Sequence, residues 1–149
     1  MDVSDILSPL NDAQRAAVAA DNQNMLVLAG AGSGKTRVLV HRIAWLVRAE
    51  GFSPWSILAV TFTNKAAKEM LLRLGAMLPI NTRGMWIGTF HGLCNRMLRA
   101  HYREAGLPQT FQILDTSDQL AAIKRLLKAM NVDDEKFPPR ELQHFINGN

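Results

Sequence analysis

The stretch that decides the fold is Ala29-Gly-Ala-Gly-Ser-Gly-Lys-Thr36. Its alternating glycines let backbone N–H groups point into one concavity, where larger side chains would obstruct the turn or an approaching phosphate. An apolar run precedes the stretch, and a segment with helical spacing of apolar residues follows it. A glycine-rich turn alone can merely join a strand to a helix. Strand, loop, Lys-Thr and helix in this order are typical of a phosphate-binding loop, so the stretch predicts a nucleotide site.

Each polar residue of the loop has a predicted role. Lys35 would neutralise charge on the β- and γ-phosphates, and the Thr36 hydroxyl would ligate Mg²⁺. A helix starting at Lys35 would present its N-terminus to the same anion. Ala29 departs from the usual pattern, which has glycine at this first position. Lys35 and Thr36 are the candidate catalytic residues, and the candidate nucleotide-binding residues here are Ala29, Gly30, Ala31, Gly32, Ser33, Gly34, Lys35, Thr36 and Arg37.

Outward from the loop, strands alternate with helices. Asn11 or Asp12 is a good N-cap for a short helix over 13–20. Apolar runs predict a buried strand at 24–29 and further strands at 57–62 and 85–88. Helical spacing predicts helices at 35–50, 64–77 and 90–104. This alternation predicts parallel βαβ units, and therefore an α/β fold with a parallel sheet flanked by helices.

The part of the chain after about Phe90 is more helical than a compact sheet domain needs. Thr116 and Gln119 have the spacing of a capping box for a helix from about Ser117 to Met130. We therefore expect residues 1–89 to form the first part of a sheet domain and residues 90–149 to begin a mostly helical inserted subdomain. The boundary is predicted near Thr89.

Composition and charge narrow the class of protein. The chain has 149 residues, 48% of them hydrophobic and 20% charged, which fits an ordinary globular protein. Seven basic and two acidic residues between Val60 and Ala105 give that region a net charge of +5, whereas the whole chain carries +4. Such a cationic stretch is either a solvated helix face or a surface for a phosphate-rich partner. A single cysteine, no signal peptide and no apolar run of membrane-spanning length predict a cytoplasmic protein without a membrane partner.

Three further stretches resemble motifs of the UvrD/Rep/PcrA helicases of superfamily 1A. Leu10-Asn-Asp-Ala-Gln14 resembles the Q-motif, in which a glutamine amide reads adenine, and Gln14 is the matching residue. Thr61-Phe-Thr-Asn-Lys-Ala-Ala-Lys-Glu-Met70 resembles motif Ia, which contacts single-stranded DNA. Gly88-Thr-Phe-His-Gly92 resembles the next DNA-contacting motif. The resemblance runs through almost the whole chain.

The candidate DNA-binding residues follow strand ends, on the side where α/β proteins bind ligands. Aromatic rings there can stack on bases, and a helix N-terminus can bind phosphate. Phe62 and Phe90 could instead be core residues, and His91 a capping residue. We also expect Lys65 and Arg96 to give DNA binding its salt dependence. The residues matched to the family's motifs are Phe62, Thr63, Asn64, Lys65, Thr89, Phe90 and His91.

The resemblance implies a RecA-like P-loop domain 1A, an inserted subdomain 1B, and an ATP- and Mg²⁺-dependent helicase. It implies movement 3′ to 5′ on single-stranded DNA, with duplex junctions and repair proteins as candidate partners. No Walker B strand ending in Asp-Glu and no second motor domain occur in the chain, so we expect it to be inactive alone. Asp115 mimics a Walker B aspartate but stands where a helix cap is needed. A non-motor nucleotide- and DNA-binding module and a P-loop kinase or transporter ATPase are the alternatives.

Overall fold

The computed structural model describes residues 3–148, which divide into two compact units. The first unit extends to His101 and the second begins at Tyr102. Two one-turn 3₁₀ helices in the first unit lie at Pro54–Ser56 and Thr82–Gly84. The regular elements of the first unit are α1 Ser4–Leu7, α2 Asp12–Val18, α3 Lys35–Arg48, β1 Leu58–Thr61, α4 Asn64–Met77, β2 Trp86–Thr89 and α5 Phe90–Ala100.

Strands β1 and β2 form a two-stranded parallel sheet, and α4 connects them. The register pairs Leu58 with Trp86 and Thr61 with Thr89, so both strands end at the same level. This is the βαβ arrangement predicted from the alternation of elements. The α/β class is therefore confirmed for this part of the chain.

The core of the first unit lies where α1, α2, α3 and α4 meet the strands. α3 and α4 contribute their apolar stripes, β2 contributes Ile87, and Met85 joins them from just before β2. Burying side chains of this kind is the main source of stability for such a unit. The most deeply buried side chains are Ile6, Val18, Val40, Met70, Leu74 and Met85.

The predicted buried strand at 24–29 is wrong for this chain. The segment is irregular, and Leu26 and Leu28 are 84% and 87% exposed. A strand needs neighbours for its backbone N–H and C=O groups, and a parallel-sheet strand is buried only when its neighbours cover it. Among the described residues, β1 and β2 pair only with each other, and segment 24–29 forms no ladder with either strand.

Helix α5 ends at Ala100, four residues before the predicted end at Glu104. His101 is the C-cap of α5. The chain then turns, with Gly106 in a left-handed backbone at φ of +65° and the N–H of Leu107 donating to the carbonyl of Tyr102. α5 belongs to the first unit, although it lies beyond the boundary predicted near Thr89. The position at which the sheet domain ends and an inserted subdomain begins stays a prediction.

The second unit is a pair of helices, α6 Thr116–Ala129 and α7 Pro139–Gly148. Asp115, not Thr116, is the N-cap of α6, so the predicted capping box is wrong. The Gln119 amide instead exchanges hydrogen bonds with Asn147 of α7, at 2.9 and 3.1 Å. The buried Gln143 amide donates to the Gln119 side chain at 3.0 Å and to the Thr116 carbonyl at 2.6 Å. Side-chain amides therefore fasten the two helices together.

Candidate nucleotide and DNA interface

The glycine-rich loop leads directly into α3, as its sequence predicts. Gly32 and Gly34 have φ of +73° and +82°, a left-handed backbone that favours glycine. Gly34 is the N-cap of α3 and has no side chain to accept a hydrogen bond from the first turn. The N-caps of α4 and α5, Thr63 and Thr89, do accept such bonds. The N–H groups at the start of α3 are therefore left without a side-chain acceptor at Gly34, as an anion site requires.

Gly30 provides a test of whether the loop fits a phosphate. Its φ lies outside the left-handed region, and an added Cβ would meet no atom within 4 Å. The packing of the protein itself therefore does not require glycine at this position. A ligand that approaches the backbone closely would require it, because a side chain would occupy the same space. The loop fits a bound phosphate by this criterion.

The Lys35 side chain folds back over the loop. Its Nζ donates to the carbonyl of Gly30 at 2.7 Å and to that of Ala29 at 3.3 Å. The Ser33 hydroxyl donates to the same Gly30 carbonyl at 2.7 Å. The ammonium group therefore lies at the loop, and Thr36, partly buried, follows it in the first turn of α3.

Gln14 has both a structural contact and a contact with the loop. Its Oε1 accepts from the N–H of Asn11 at 3.2 Å, and the Asn11 side chain accepts from the N–H of Gln14, which together form a capping box. Its Nε2 donates to the carbonyl of Ser33 at 3.1 Å. A side-chain amide has a second N–H and a second lone pair, so both ends retain capacity for a ligand.

A cleft of about 560 Å³ lies beside the loop and includes Gln14, Gly30, Ser33 and Lys35 in its walls. This volume is within the range of small-molecule sites. The structure thus brings together the two parts of the predicted nucleotide site, the candidate base reader and the phosphate loop, although they are separated in sequence.

Arg37 lies apart from that cleft, in the wall of a second cavity of about 340 Å³ between α3 and α4. Arg73 lies in the same wall. The sequence did not identify Arg73 as a candidate site residue, because Glu69 four residues earlier predicts an ordinary ion pair on a helix surface. This ion pair does form. Only the packing of α3 on α4 brings the two arginines to one cavity.

The candidate DNA-contacting residues lie where β1 and β2 end. Phe62 and Phe90 each follow the last residue of a strand, and the register pairs those last residues, Thr61 and Thr89. Phe62 is fully exposed and Phe90 is 66% exposed. Neither is a core residue, so the alternative that they pack inside the protein is wrong.

The helices that follow these strands begin with threonine caps. Thr63 accepts from the N–H of Ala66 at 3.1 Å, and Thr89 accepts from the N–H of Gly92 at 3.2 Å. His91 does not cap α5; it is exposed, and its ring meets that of Phe90 edge-on with centroids 6.1 Å apart. Asn64 and Lys65 are exposed in the first turn of α4. Two turns of the same kind therefore present polar and aromatic groups at one edge of the sheet.

Arg96 does not have the contacts expected of a phosphate-binding side chain. Its guanidinium lies 4.1 Å from the centroid of the Trp86 ring and donates to the carbonyls of Met85 at 3.0 Å and Gly84 at 2.9 Å. These contacts hold α5 against the start of β2. Arg96 therefore has a structural role, and its direct binding to DNA stays a prediction.

Asp115 has the cap role expected from its position. Its carboxylate accepts from the N–H of Asp118 at 2.8 Å and from the Ser117 hydroxyl at 2.7 Å. These two hydrogen bonds, the backbone one foremost, hold the pKa of Asp115 below its usual value. A carboxylate committed to a helix N-terminus is not available as a Walker B ligand.

The chain matches known helicases over nearly all of its length. Residues 10–149 match the family model of the UvrD/REP helicase N-terminal domain. The chain is 63% identical to DNA helicase II of Escherichia coli K12 over 147 residues, which are 99% of this chain and 20% of that protein. It is 58% identical to DNA helicase II of Haemophilus influenzae, covering 99% of this chain and 21% of the relative. The chain is 50% identical to ATP-dependent DNA helicase PcrA of Bacillus subtilis, covering 92% of this chain and 18% of that relative. The chain therefore spans about a fifth of the length of these relatives.

Proposed function

Because the chain belongs to the UvrD/REP helicase family, we propose that it supplies the ATP-binding loop and part of the single-stranded DNA path of an ATP-dependent 3′–5′ DNA helicase. The observation that carries the proposal is the loop at the start of α3, with the Lys35 ammonium at its carbonyls and the Gln14 amide bound to Ser33. The helicases that it resembles supply the expectation of DNA repair, duplex junctions and a cytoplasmic setting. Among the described residues, no helix is long and apolar enough to cross a membrane.

The nucleotide would be held by residues with separate tasks. The N–H groups of the loop and of the first turn of α3 would bind the phosphates, and Lys35 would leave the Gly30 carbonyl to neutralise their charge. The spare N–H and lone pair of Gln14 would recognise the adenine edge. Residues 3–148 contain no group of three or more His, Cys, Asp or Glu side chains placed to hold a metal. A Mg²⁺ ion would therefore rely on Thr36 and on phosphate oxygens here, and it would screen the charge of the phosphates.

The DNA path would cross the edge where β1 and β2 end. Exposed Phe62 and Phe90 would stack on bases, and this contact tolerates any sequence because every base has a π-face. The first turn of α4, with Asn64 and Lys65, would bind the backbone phosphates. His91, beside Phe90, would add a hydrogen-bond donor at the second turn.

A RecA-like sheet would require more strands than β1 and β2. Segment 24–29 and one face of β1, with Leu58 57% and Val60 47% exposed, present the apolar surface that a larger sheet and the helices packed on it would cover. The relatives are about five times longer than this chain, so such strands would come from the rest of the protein.

The test is the substitution Lys35→Ala in the full-length protein that contains this chain. We expect ATP hydrolysis to fall by at least about 100-fold, because the substitution removes the ammonium group that contacts the loop carbonyls. Lys124→Ala, an exposed lysine on α6, is the matched control and should hydrolyse ATP normally. A folded Lys35→Ala protein that hydrolysed ATP at nearly the normal rate would refute the proposal.

A further inference from the structure

Arg42 fastens α3 to the C-terminal end of α2. Its side chain is only 16% exposed, and its guanidinium donates to the carbonyls of Val18 at 2.8 Å, of Ala20, and of Asp21 at 3.3 Å. Carbonyls at a helix C-terminus lack partners inside the helix and carry partial negative charge. Charge-assisted hydrogen bonds of this kind are stronger than bonds between neutral groups. Arg42 therefore binds the last carbonyl of α2 and two carbonyls just beyond its C-cap, and it does so from a neighbouring helix.

The guanidinium is also held from its own helix. Glu50, just beyond the end of α3, places Oε1 at 3.5 Å from Nη1 of Arg42 and accepts from the indole N–H of Trp45 at 3.1 Å. Trp45 and Arg42 both belong to α3. The direction in which Arg42 reaches α2 is thus fixed by the helix that begins with Lys35.

Helix α2 is fastened at its other end as well. Gln14, in its first turn, donates to the loop carbonyl of Ser33 at 3.1 Å. Residues 19–34, which link α2 to α3, form no helix or strand and are mostly exposed. This linker therefore does little to fix the position of α2 along α3. Ala17 and Val18 are buried and pack this end of α2 against the core, and Arg42 adds directional hydrogen bonds there.

We propose that Arg42 is a positioning residue for base selection, which sets the place of Gln14 relative to the phosphate loop. This inference rests on the proposed reading of adenine by Gln14. Base discrimination by an amide depends on the alignment of a donor and an acceptor, and it is lost when the pair shifts. Arg42 also lines the cleft beside the loop, but its guanidinium is bonded to backbone carbonyls and paired with Glu50. Its effect on the choice between ATP and GTP would therefore pass through Gln14, not through a contact of its own with the base.

The experiment compares kcat/KM for ATP with kcat/KM for GTP in the full-length protein. Arg42→Lys keeps the charge but loses the planar fork that reaches several carbonyls at once. We expect the ATP-to-GTP ratio to fall about three- to tenfold, the range that corresponds to losing one or two hydrogen bonds. Arg48→Lys is the matched control, since Arg48 is also on α3 and 16% exposed, but pairs with Asp5 of α1. Its ratio should stay normal.

A double substitution shows whether Arg42 acts through Gln14. Gln14→Ala alone should lower the ratio, and adding Arg42→Lys should lower it no further, because the residue that Arg42 positions is gone. Glu50→Gln keeps an acceptor for Trp45 but removes the charge that orients Arg42. It should shift the ratio in the same direction by a smaller factor, and it carries the test if Arg42→Lys does not fold.

The outcomes distinguish base reading by Gln14 from the positioning of Gln14 by Arg42. If Gln14→Ala lowers the ratio but neither Arg42→Lys nor Glu50→Gln does, the positioning role is overturned while base reading by Gln14 stands. An equal effect of Arg42→Lys in the Gln14→Ala background would also overturn it, because Arg42 would then act by another route. An unchanged ratio in Gln14→Ala itself would remove the base-reading role and the positioning role together.

Discussion

Asp115 illustrates how the neighbours of a carboxylate decide its role. The preceding Phe-Gln-Ile-Leu suggested a strand that ends in a catalytic aspartate, but these residues form no strand. The side chain instead accepts from Asp118 and Ser117 in the first turn of α6. Because these bonds lower its pKa, the ionised form stabilises α6 at pH values above the unfolded-state pKa of about 3.9. This contribution is lost as the pH falls through the lower folded-state pKa.

The cap role of Asp115 leads to a prediction. Asp115→Asn in the full-length protein should leave ATP hydrolysis within about twofold of normal, because asparagine is also a good N-cap. Asp115→Ala should loosen the first turn of α6, measured as faster amide exchange at Asp118. A loss of hydrolysis of about 100-fold or more in Asp115→Asn would show that this carboxylate takes part in the chemistry.

Residues whose role depends on nearby sequence were predictable, and those whose role depends on packing were not. Gln14, Lys35 and the loop glycines follow from a short pattern, and the geometry brings them together. Arg96 looked like a free cation in the sequence, because nothing local shows that the Trp86 ring and two carbonyls lie beneath it. Arg42 gave no sequence signal at all, since the carbonyls it binds are more than 20 residues away.

At the scale of elements, helices with local caps were predicted well. α4 begins and ends where its sequence indicated, at Asn64 and Met77, because Thr63 caps it and its apolar stripe covers the core. The strand at 24–29 failed for the opposite reason. Its apolar run is the correct pattern for a buried strand, but a strand forms only against a partner, and the described residues provide none.

The placement of α5 gives a prediction about DNA binding. Gly88 allows α5 to approach β2, since an added Cβ would lie 3.2 Å from Leu93, and Arg96 clamps the helix further along. Arg96→Ala should weaken single-stranded DNA binding by about threefold or more, because alanine can neither stack on Trp86 nor donate to the two carbonyls. If Arg96 acts only by holding α5, the slope of log affinity against log salt should stay unchanged.

Lys65→Ala provides the contrast for Arg96. If Lys65 binds a phosphate, its removal should reduce the salt slope by about 0.7, the contribution of one phosphate of single-stranded DNA. Fluorescence anisotropy with a labelled oligonucleotide at several salt concentrations measures both quantities. An equal drop in slope for Arg96→Ala would show that Arg96 is a direct phosphate contact.

At the scale of the molecule, the exposed apolar surface and the incomplete candidate site both fit a chain that spans about a fifth of the length of its relatives. Leu26, Leu28, Leu58 and Val60 are more exposed than side chains of a finished sheet would be. Helicases of this family that are about five times longer have additional chain with which to cover them. The proposed site on this chain likewise consists of a candidate phosphate loop and a candidate base reader, and no carboxylate among the described residues lines the cleft beside the loop.

The 149-residue chain on its own should therefore bind nucleotide weakly and hydrolyse it at no more than about a hundredth of the full-length rate. Phosphoryl transfer requires an aligned water, a metal held on its far side and cationic help at the developing charge. Lys35 and Thr36 could supply only part of that set. Phosphate release from the purified chain, measured with and without single-stranded DNA, should stay at background beside the full-length protein. The same chain should bind DNA with an affinity that ATP does not change, because the partner domain that would move against it is absent. Turnover within about tenfold of full length would mean that a catalytic carboxylate lies within these residues, and Asp115 would be the first to substitute.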